Sequence, residues 1–201
     1  MKILGLTGQS GAGKTLFANE LAKKGYPCIN ADELYHSMLV PPSKTLDAIR
    51  REFGDSFFLS SGELDRKALA REVFSSKEQL NALNATVLPL VIENIRKIAD
   101  EQSRLGTKLF IIDAPTLFES GLDADCDLTL AIVAPAELRI KRIAERDKIS
   151  LDDATLRTMA QKSNEFYLER ADKTIINDKG ESELIKAAEK ILSELLEGEN
   201  L

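Results

Sequence analysis

The stretch GLTGQSGAGKT, residues 5–15, decides the fold class of this protein. Within it, Gly8–Thr15 satisfies the pattern G-x-x-x-x-G-K-[ST] at every fixed position. The glycines let the backbone point several N–H groups at one anion, and a helix starting near Lys14 adds its positive end. An apolar run, Ile3–Thr7, precedes the pattern and a helical spacing of apolar residues follows it, as the motif requires. We therefore interpret the stretch as a nucleoside-triphosphate site.

Each fixed position of this pattern has a chemical role. We expect Lys14 to reach the β- and γ-phosphates and the Thr15 hydroxyl to bind Mg²⁺. Asp113 ends the apolar run Leu109–Ile112, where a carboxylate can act on the metal through water. The predicted ligands are thus ATP and Mg²⁺. The predicted nucleotide-binding residues are Gly8, Gly11, Ala12, Gly13, Lys14, Thr15 and Leu16.

Short apolar runs recur along the chain with helical patterns between them. After the first, the predicted strands are Pro27–Asn30, Lys108–Ile112, Leu128–Val133 and Thr174–Ile176. Such alternation indicates an α/β fold with a parallel sheet covered on both faces. Residues 33–106 contain helix signals and no convincing strand, so we predict a core of residues 1–32 and 107–201 with a helical insertion. The insertion is placed to hold an acceptor substrate, or is scaffold, and periodicity alone does not separate these alternatives.

The composition excludes several other classes. With 201 residues, 43% hydrophobic and 30% charged, the chain suits one soluble folded domain. A net charge of −6 argues against general nucleic-acid binding, and no apolar run is long enough for a membrane helix or a signal peptide. Cys28 and Cys126 lie far apart without metal-site spacing, which fits a reducing compartment. We expect a cytoplasmic protein. The sequence leaves its oligomeric state undetermined, although we expect a monomer.

Arginines follow the fourth predicted strand at helical intervals, at positions Arg139, Arg142 and Arg146. A second helix is predicted from Ser150 and carries Arg157. Two such helices resemble a mobile lid, residues 139–165, that brings Arg142 or Arg146 over a transferring phosphoryl group and excludes water. The alternative is a solvated basic face paired with Glu137 and Glu145. No Asn-Lys-x-Asp element, with which GTPases bind guanine, follows a predicted strand. Together with the arginines, this favours a small-molecule kinase over a GTPase.

Asp32 is the leading candidate for the general base of such a kinase. It follows the second predicted strand, beside the strand that leads into the phosphate loop, where a carboxylate can accept a proton from an attacking hydroxyl. Asp32 could also cap the helix that begins at Glu33, and the two roles are compatible.

The chain resembles the dephospho-CoA kinase family almost from end to end. The matching motifs are Gly5–Gly8, Asn30–Asp32, Gly62–Arg66, Asp113–Glu119, Arg142–Asp147, Arg157 with Gln161, and Ala171–Asp172 with Asn177. The resemblance implies transfer of the ATP γ-phosphoryl group to the 3′-hydroxyl of dephospho-CoA. It implies a nucleoside-monophosphate-kinase-like fold, a P-loop NTPase with a five-stranded parallel sheet in the order 2-3-1-4-5, with residues 33–106 binding CoA. The residues it places near the acceptor are Arg66, Leu117, Phe118, Glu119 and Arg157.

Two departures from the family pattern affect the acceptor side. Leu88-Pro89 stands where the family has His-Pro, so an imidazole that might contact the acceptor is absent. His36 stands where the family often has arginine, four residues after Asp32, so on a helix the two residues face the same way. His36 is therefore a candidate for the acceptor phosphates, or else an ordinary surface residue. A kinase with another acceptor, or a regulator that binds nucleotide or CoA without catalysis, remains an alternative.

Overall fold

The structure of the protein is a computed structural model that describes residues 1–197. The chain forms two compact units. One contains Met1–Ile29 and the chain from Glu101 onward, and the other contains Asn30–Asp100. The first unit holds most of the sheet, whereas the second consists mostly of helices.

A five-stranded parallel sheet is the centre of the first unit. Its strands are β1 (Lys2–Gly8), β2 (Cys28–Asn30), β3 (Leu109–Asp113), β4 (Leu128–Val133) and β5 (Lys173–Ile176). Their order is β2-β3-β1-β4-β5, which confirms the predicted 2-3-1-4-5 order and the α/β fold class. Parallel neighbours bring the ends of β1, β3 and β4 to the same edge, where functional loops of such sheets lie.

Helices alternate with the strands. They are α1 (Lys14–Lys23), α2 (Ala31–Ser37), α3 (Lys44–Phe53), α4 (Arg66–Val73), α5 (Lys77–Arg104), α6 (Leu117–Ser120), α7 (Ala136–Asp147), α8 (Leu151–Met159), α9 (Asn164–Leu168) and α10 (Glu181–Glu197). Short 3₁₀ turns occupy Asp55–Phe57 and Leu122–Asp125.

The alternating side chains of the strands bury both faces of the sheet. Leu4, Leu6, Leu130 and Ile132 pack on one face with Phe17 and Leu21 of α1 and with Leu184, Ala188 and Ile191 of α10. On the other face, Ala131 and Val133 pack with Tyr167 of α9. Successive residues of β4 therefore face opposite helical layers, which is why its sequence is apolar throughout rather than alternating.

The second unit is helical, with one isolated antiparallel bridge between Phe58 and Leu64. Helix α3 is capped by Ser43, whose hydroxyl accepts hydrogen bonds from Thr45 N and Leu46 N. Helix α5 is the longest element of this unit and continues through Pro89. Its buried side chains lie at helical intervals: Val87, Val91, Ile95 and Ala99.

Candidate active site

Two glycines of the phosphate loop lie where a side chain would not fit. Gly8 (φ 130°) and Gly13 (φ 113°) adopt backbone angles that favour glycine. A Cβ on Gly8 would collide with the carbonyl oxygen of Ile132. A Cβ on Gly13 would lie 2.6 Å from Asn177 Nδ2 and 2.8 Å from Leu184 Cδ2. The loop therefore packs tightly against β4 and the beginning of α10, which fixes the path of its backbone.

Lys14 and Thr15 occupy the first turn of α1, where helix N–H groups lack partners within the helix. The Lys14 ammonium bends over the loop and donates hydrogen bonds to the carbonyl oxygens of Gly8 (2.8 Å) and Gln9 (3.1 Å). The Thr15 side chain is exposed. One short segment thus combines a cation, a hydroxyl and a helix N-terminus, which are the groups that bind a polyphosphate.

Asp113 is the last residue of β3 and is only 4% exposed. In the sheet it lies opposite Leu6 of β1, two residues before the phosphate loop begins at Gly8. The hydroxyl of Thr7 donates to the carbonyl oxygen of Pro115 at 3.2 Å, and so ties the end of β1 to the chain after Asp113. The carboxylate is therefore held beside the strand that leads into the loop.

Thr15 and Asp113 form a donor set that suits Mg²⁺ bound together with a nucleotide. Magnesium in kinases typically takes a hydroxyl or one or two carboxylates from the protein and completes its shell with phosphate oxygens and water. Within residues 1–197 there is no group of three or more His, Cys, Asp or Glu side chains that could hold a metal ion. A hydroxyl and a carboxylate are thus the protein groups that would be available to a magnesium ion bound with ATP.

Gln161 connects the phosphate loop to the segment after α8. Its Oε1 atom accepts a hydrogen bond from Ser10 N at 2.9 Å and another from Arg139 Nη1 at 3.3 Å. Next to it, Gln9 Nε2 donates to the carbonyl oxygen of Lys162 at 3.0 Å. The sequence predicts Gln161 and Arg157 on one face of the same helix, but α8 ends at Met159 and Gln161 lies beyond it. Outside the helix, its amide is able to reach the loop backbone.

A second side chain supports the loop from the opposite end of the chain. Asn177, which follows β5, donates from Nδ2 to the carbonyl oxygen of Ala12 at 2.7 Å and is buried. The family resemblance includes Asn177 without giving it a role. The contact spans 165 residues, so no local pattern could have predicted it.

Two of the three arginines on α7 also contact the loop. Arg142 Nη1 donates to the carbonyl oxygen of Gly11 at 3.2 Å, and Arg146 Nη2 donates to Ser10 Oγ at 3.2 Å. Arg142 is half-buried and Arg146 is exposed. Both guanidinium groups therefore lie at the loop that is predicted to hold the phosphates.

Arg139 differs from the other two arginines because it is only 5% exposed. Its Nε atom donates to the carbonyl oxygen of Ala134 at 3.2 Å, and burial lowers the pKa of its guanidinium from the ordinary value. We conclude that Arg139 supports Gln161 and the end of β4. The helical spacing of the three arginines could not distinguish this buried position from the accessible ones.

The connection between α7 and α8 contains a cluster of charges. Asp147 accepts hydrogen bonds from Arg146 (2.8 Å) and from Arg157 (2.7 Å). The hydrogen bond from Arg146, followed by the charges of both arginines, lowers the pKa of the Asp147 carboxyl. The alternative of a basic face paired with Glu137 and Glu145 is therefore wrong about Arg146, whose partner is Asp147.

In the second unit, Asp32 lies in the first turn of α2 and is exposed. The helix is capped by Asn30, whose side-chain oxygen accepts a hydrogen bond from Glu33 N at 3.0 Å. The alternative role of Asp32 as the cap of this helix is therefore wrong. The carboxylate remains oriented by a capped helix without serving as the cap itself.

His36 and Arg66 form a contact within the same unit. Arg66 Nη2 lies 2.6 Å from His36 Nδ1, and both side chains are exposed. A guanidinium can only donate, so Nδ1 accepts and the imidazole proton resides on Nε2. Arg66 begins α4 directly after Asp65, which caps that helix by accepting from Lys67 N and Ala68 N. The pair thus presents a cation and an N–H donor on one patch.

The three residues assigned to the acceptor on α6 have different environments. Leu117 is fully buried, 2.8 Å from where a Cβ on Gly5 would lie, so its side chain belongs to the core. Phe118 is half-buried and packs edge to face with Phe166 at 6.1 Å, whereas Glu119 is exposed. Burial and the charge of Glu119 raise the pKa of Tyr167 to about 12. Contact of these residues with the acceptor stays a prediction.

The helices of the described chain do not include one with the length and apolar character that a membrane span requires.

The phosphate loop stands at the carboxyl edge of a parallel sheet ordered 2-3-1-4-5, and arginines of the helix after β4 donate to it. These features place the protein in the class of P-loop phosphotransferases. A family model described as "Dephospho-CoA kinase" matches residues 2–183. The chain belongs to the dephospho-CoA kinase family.

Individual relatives agree with this assignment. A dephospho-CoA kinase of Fusobacterium nucleatum is 35% identical over 188 residues, which cover 94% of this chain and 95% of the relative. A crystal structure from Thermus thermophilus superposes with a TM-score of 0.79 at 34% identity, covering 96% of this chain and 97% of the other. A dephospho-CoA kinase of Campylobacter jejuni gives a TM-score of 0.73 at 28% identity, covering 99% and 100%.

Proposed function

We propose that this protein transfers the γ-phosphoryl group of ATP to the 3′-hydroxyl of dephospho-CoA and so produces CoA and ADP. The observation that carries the proposal is the family match across residues 2–183, which includes both the phosphate loop and Asp32. In this reaction a bond forms between the ribose 3′-oxygen and the γ-phosphorus. The bond from the γ-phosphorus to the bridging oxygen breaks, and ADP leaves with that oxygen.

The phosphate loop would bind the donor. The β-phosphate would be bound by the backbone N–H groups of Gly11, Gly13 and Lys14 at the N-terminus of α1. The Lys14 ammonium would bind the β- and γ-phosphates. Thr15, and Asp113 through water, would hold Mg²⁺, which neutralises charge on the phosphate oxygens when it is bound. Ala12 and Leu16 complete the nucleotide-binding segment.

Asp32 would act on the attacking hydroxyl. Its exposed carboxylate can accept the proton of the 3′-hydroxyl as the oxygen attacks phosphorus, or orient that hydroxyl beforehand. Because Asn30 caps the helix, protonation of Asp32 during the reaction would not remove a hydrogen bond that holds α2 together.

Arg142 and Arg146 would stabilise the charge of the transferring group. Both donate to the loop at Gly11 and Ser10, and a guanidinium there can shift its hydrogen bonds to phosphoryl oxygens. Asp147 orients Arg146 and Arg157 through hydrogen bonds of 2.8 and 2.7 Å. Movement of residues 139–165 as a lid would exclude water from the reacting phosphate.

The remaining predicted residues would hold the acceptor. The His36–Arg66 pair offers a cation and an N–H donor to its phosphates, and Arg157 offers another cation. In the first unit, the resemblance also assigns Leu117, Phe118 and Glu119 to the acceptor, and of these the exposed Glu119 and the half-buried Phe118 are accessible to it. We also propose that the enzyme is cytoplasmic, since its two cysteines are both free and a reducing compartment keeps thiols reduced. We propose a monomer as its oligomeric state.

ADP release with a panel of acceptors tests the proposed function. We expect turnover with dephospho-CoA and Mg-ATP, and at least about a hundredfold lower kcat/KM with adenosine, shikimate or simple sugars, since these acceptors lack the diphosphate that His36 and Arg66 are proposed to bind. Turnover with one of the other acceptors alone would indicate a different kinase of the same fold. Binding of both substrates without ADP release would indicate a regulator.

A further inference from the structure

Gln9 of the phosphate loop ties the loop to the segment that follows α8. Its Nε2 atom donates to the carbonyl oxygen of Lys162 at 3.0 Å, 153 residues further along the chain, and Gln9 is only 1% exposed. The orientation of the amide follows from this contact, because the reverse orientation would bring two oxygen atoms together. Since the acceptor belongs to the main chain, the hydrogen bond fixes the path of the chain at Lys162 and not only a side-chain rotamer.

The chain after Lys162 is anchored on the sheet. The Lys162 ammonium lies 5.1 Å from the centre of the Phe166 ring in α9. The next residue of that helix, Tyr167, is buried and packs with Ala131 and Val133 of β4. Lys162 is therefore the point at which the proposed lid, residues 139–165, meets chain that is held by the core.

The other end of the proposed lid is packed against the same loop. A Cβ on Gly11 would lie 2.9 Å from the carbonyl oxygen of Arg139, and Ile143, one turn later, is fully buried. These contacts fix the first two turns of α7. Helix α8 lies between the two anchored ends, and Leu156 and Met159 on it are exposed. Residues 9–11 of the loop thus hold both ends of the segment that contains α8.

We propose that Gln9 is a positioning residue, which holds the lid at Lys162 on the phosphate loop and so keeps water from the γ-phosphoryl group during transfer. This inference rests on the proposed function. If this end of the lid is released, water reaches the phosphorus in place of the ribose hydroxyl. The water oxygen then bonds to the γ-phosphorus, the bond to the bridging oxygen breaks, and ADP, inorganic phosphate and one proton are the products.

Gln9→Met removes the hydrogen bond and keeps the length of the side chain. Gln9 Oε1 is buried and has no hydrogen-bond partner among residues 1–197, so the substitution also removes an unsatisfied acceptor and should leave the melting temperature nearly unchanged. Gln102→Met is the matched control. Gln102 is a half-buried glutamine whose side chain accepts from the Thr107 hydroxyl in another part of the first unit.

The quantity that tests the proposal is the amount of free phosphate released for each CoA formed. We expect Gln9→Met to raise this ratio by about three- to tenfold, the factor that corresponds to one hydrogen bond. Its KM for ATP should change less than about twofold, because the substitution leaves the N–H groups of the loop unaltered. Gln102→Met should match the unaltered protein in both measurements. A merely structural role of Gln9 would lower phosphate release and CoA formation together and leave their ratio unchanged.

An unchanged ratio in Gln9→Met, or an equal rise in Gln102→Met, would overturn the proposal. Gln9→Ala, which also lacks the donor, covers the case in which Gln9→Met does not fold, and the same rise is expected. If neither variant folds, Gln9 is required for the fold and the proposal is overturned as well. Absence of CoA formation by the unaltered protein overturns the proposed function instead.

Discussion

At the scale of single residues, the proposed chemistry depends on where each charge is held. Lys14 is hydrogen-bonded to carbonyl oxygens of the same loop that is predicted to bind its phosphates. Arg142 and Arg146 reach that loop through hydrogen bonds of 3.2 Å, whereas Arg139 is buried and supports its neighbours. The three arginines share a spacing and a residue type, yet burial gives them different roles.

Replacing Asp32 should slow the chemical step of the reaction and leave ATP binding unchanged. We expect Asp32→Asn to lower kcat for CoA formation by about 10²–10⁴-fold, because an amide cannot accept the hydroxyl proton. The KM for ATP should stay within about twofold, since Asp32 is predicted to act only on the acceptor. Steady-state kinetics with both substrates varied measure the two effects.

The control for this variant is its thermal stability. Asp32 is exposed and Asn30 caps the helix, so Asp32→Asn should unfold at the temperature of the unaltered protein. A variant that keeps its kcat and loses only affinity for dephospho-CoA would contradict a role as general base.

At the scale of elements, the phosphate loop is positioned by segments distant in sequence. Gln161 accepts from Ser10 N, and losing this acceptor leaves a backbone donor unsatisfied at a cost of about 1–3 kcal/mol. We therefore expect Gln161→Ala to raise the KM for ATP by about tenfold, measured by ADP release. The KM for dephospho-CoA should change much less, because Gln161 contacts the donor loop.

Gln161→Glu provides the matched comparison, because a carboxylate keeps an oxygen for Ser10 N and for Arg139. It should bind ATP more tightly than Gln161→Ala. Equal KM values for ATP in both variants and in the unaltered protein would show that this hydrogen bond does not position the loop.

The pairing of β4 with β5 is reinforced by Asp172 and Thr129. Oδ2 of Asp172 accepts from both the backbone N and the hydroxyl of Thr129 at 2.7 Å, and these bonds lower the pKa of the carboxyl. A lowered pKa stabilises the fold above the unfolded-state value of about 3.9, and this stability is lost as the pH falls through the folded-state value. We expect Asp172→Asn to be less stable than the unaltered protein at neutral pH.

The difference in the free energy of unfolding should be constant from pH 7 to about pH 5 and should shrink below about pH 4. Urea titrations at several pH values measure it, with Asp178→Asn as a control that changes the same charge nearby. A difference that persists unchanged at pH 3 would contradict the assigned hydrogen bonds.

At the scale of the whole molecule, local patterns and the family resemblance together predicted the sheet. The motif Gly8–Thr15 predicted the first strand, the loop and the first helix, because each position of the motif has a distinct steric or charge requirement. Leu128–Val133 was predicted with its observed bounds, since a fully buried strand is apolar throughout. The strand order came from the resemblance, as no local pattern specifies which strands are neighbours.

The contacts that organise the site are the part that could not be predicted. Gln161 reaches Ser10 across 151 residues, and His36 reaches Arg66 across 30. Such contacts arise from how segments pack, and a single sequence carries no periodic signal for them. The residue that caps α2 was difficult to predict for a different reason. Asn and Asp both cap helices well, and the cap is Asn30 rather than Asp32.

The position of the transferred phosphate is the most direct test of the proposed reaction. Purified protein would be incubated with dephospho-CoA, Mg²⁺ and ATP labelled in the γ-phosphoryl group, and the product identified by mass spectrometry and phosphorus NMR. We predict one labelled phosphate per acceptor, attached to the ribose 3′-oxygen, with an equal amount of ADP. Label released as free phosphate, or attached at any other oxygen, would contradict transfer to the 3′-hydroxyl of dephospho-CoA.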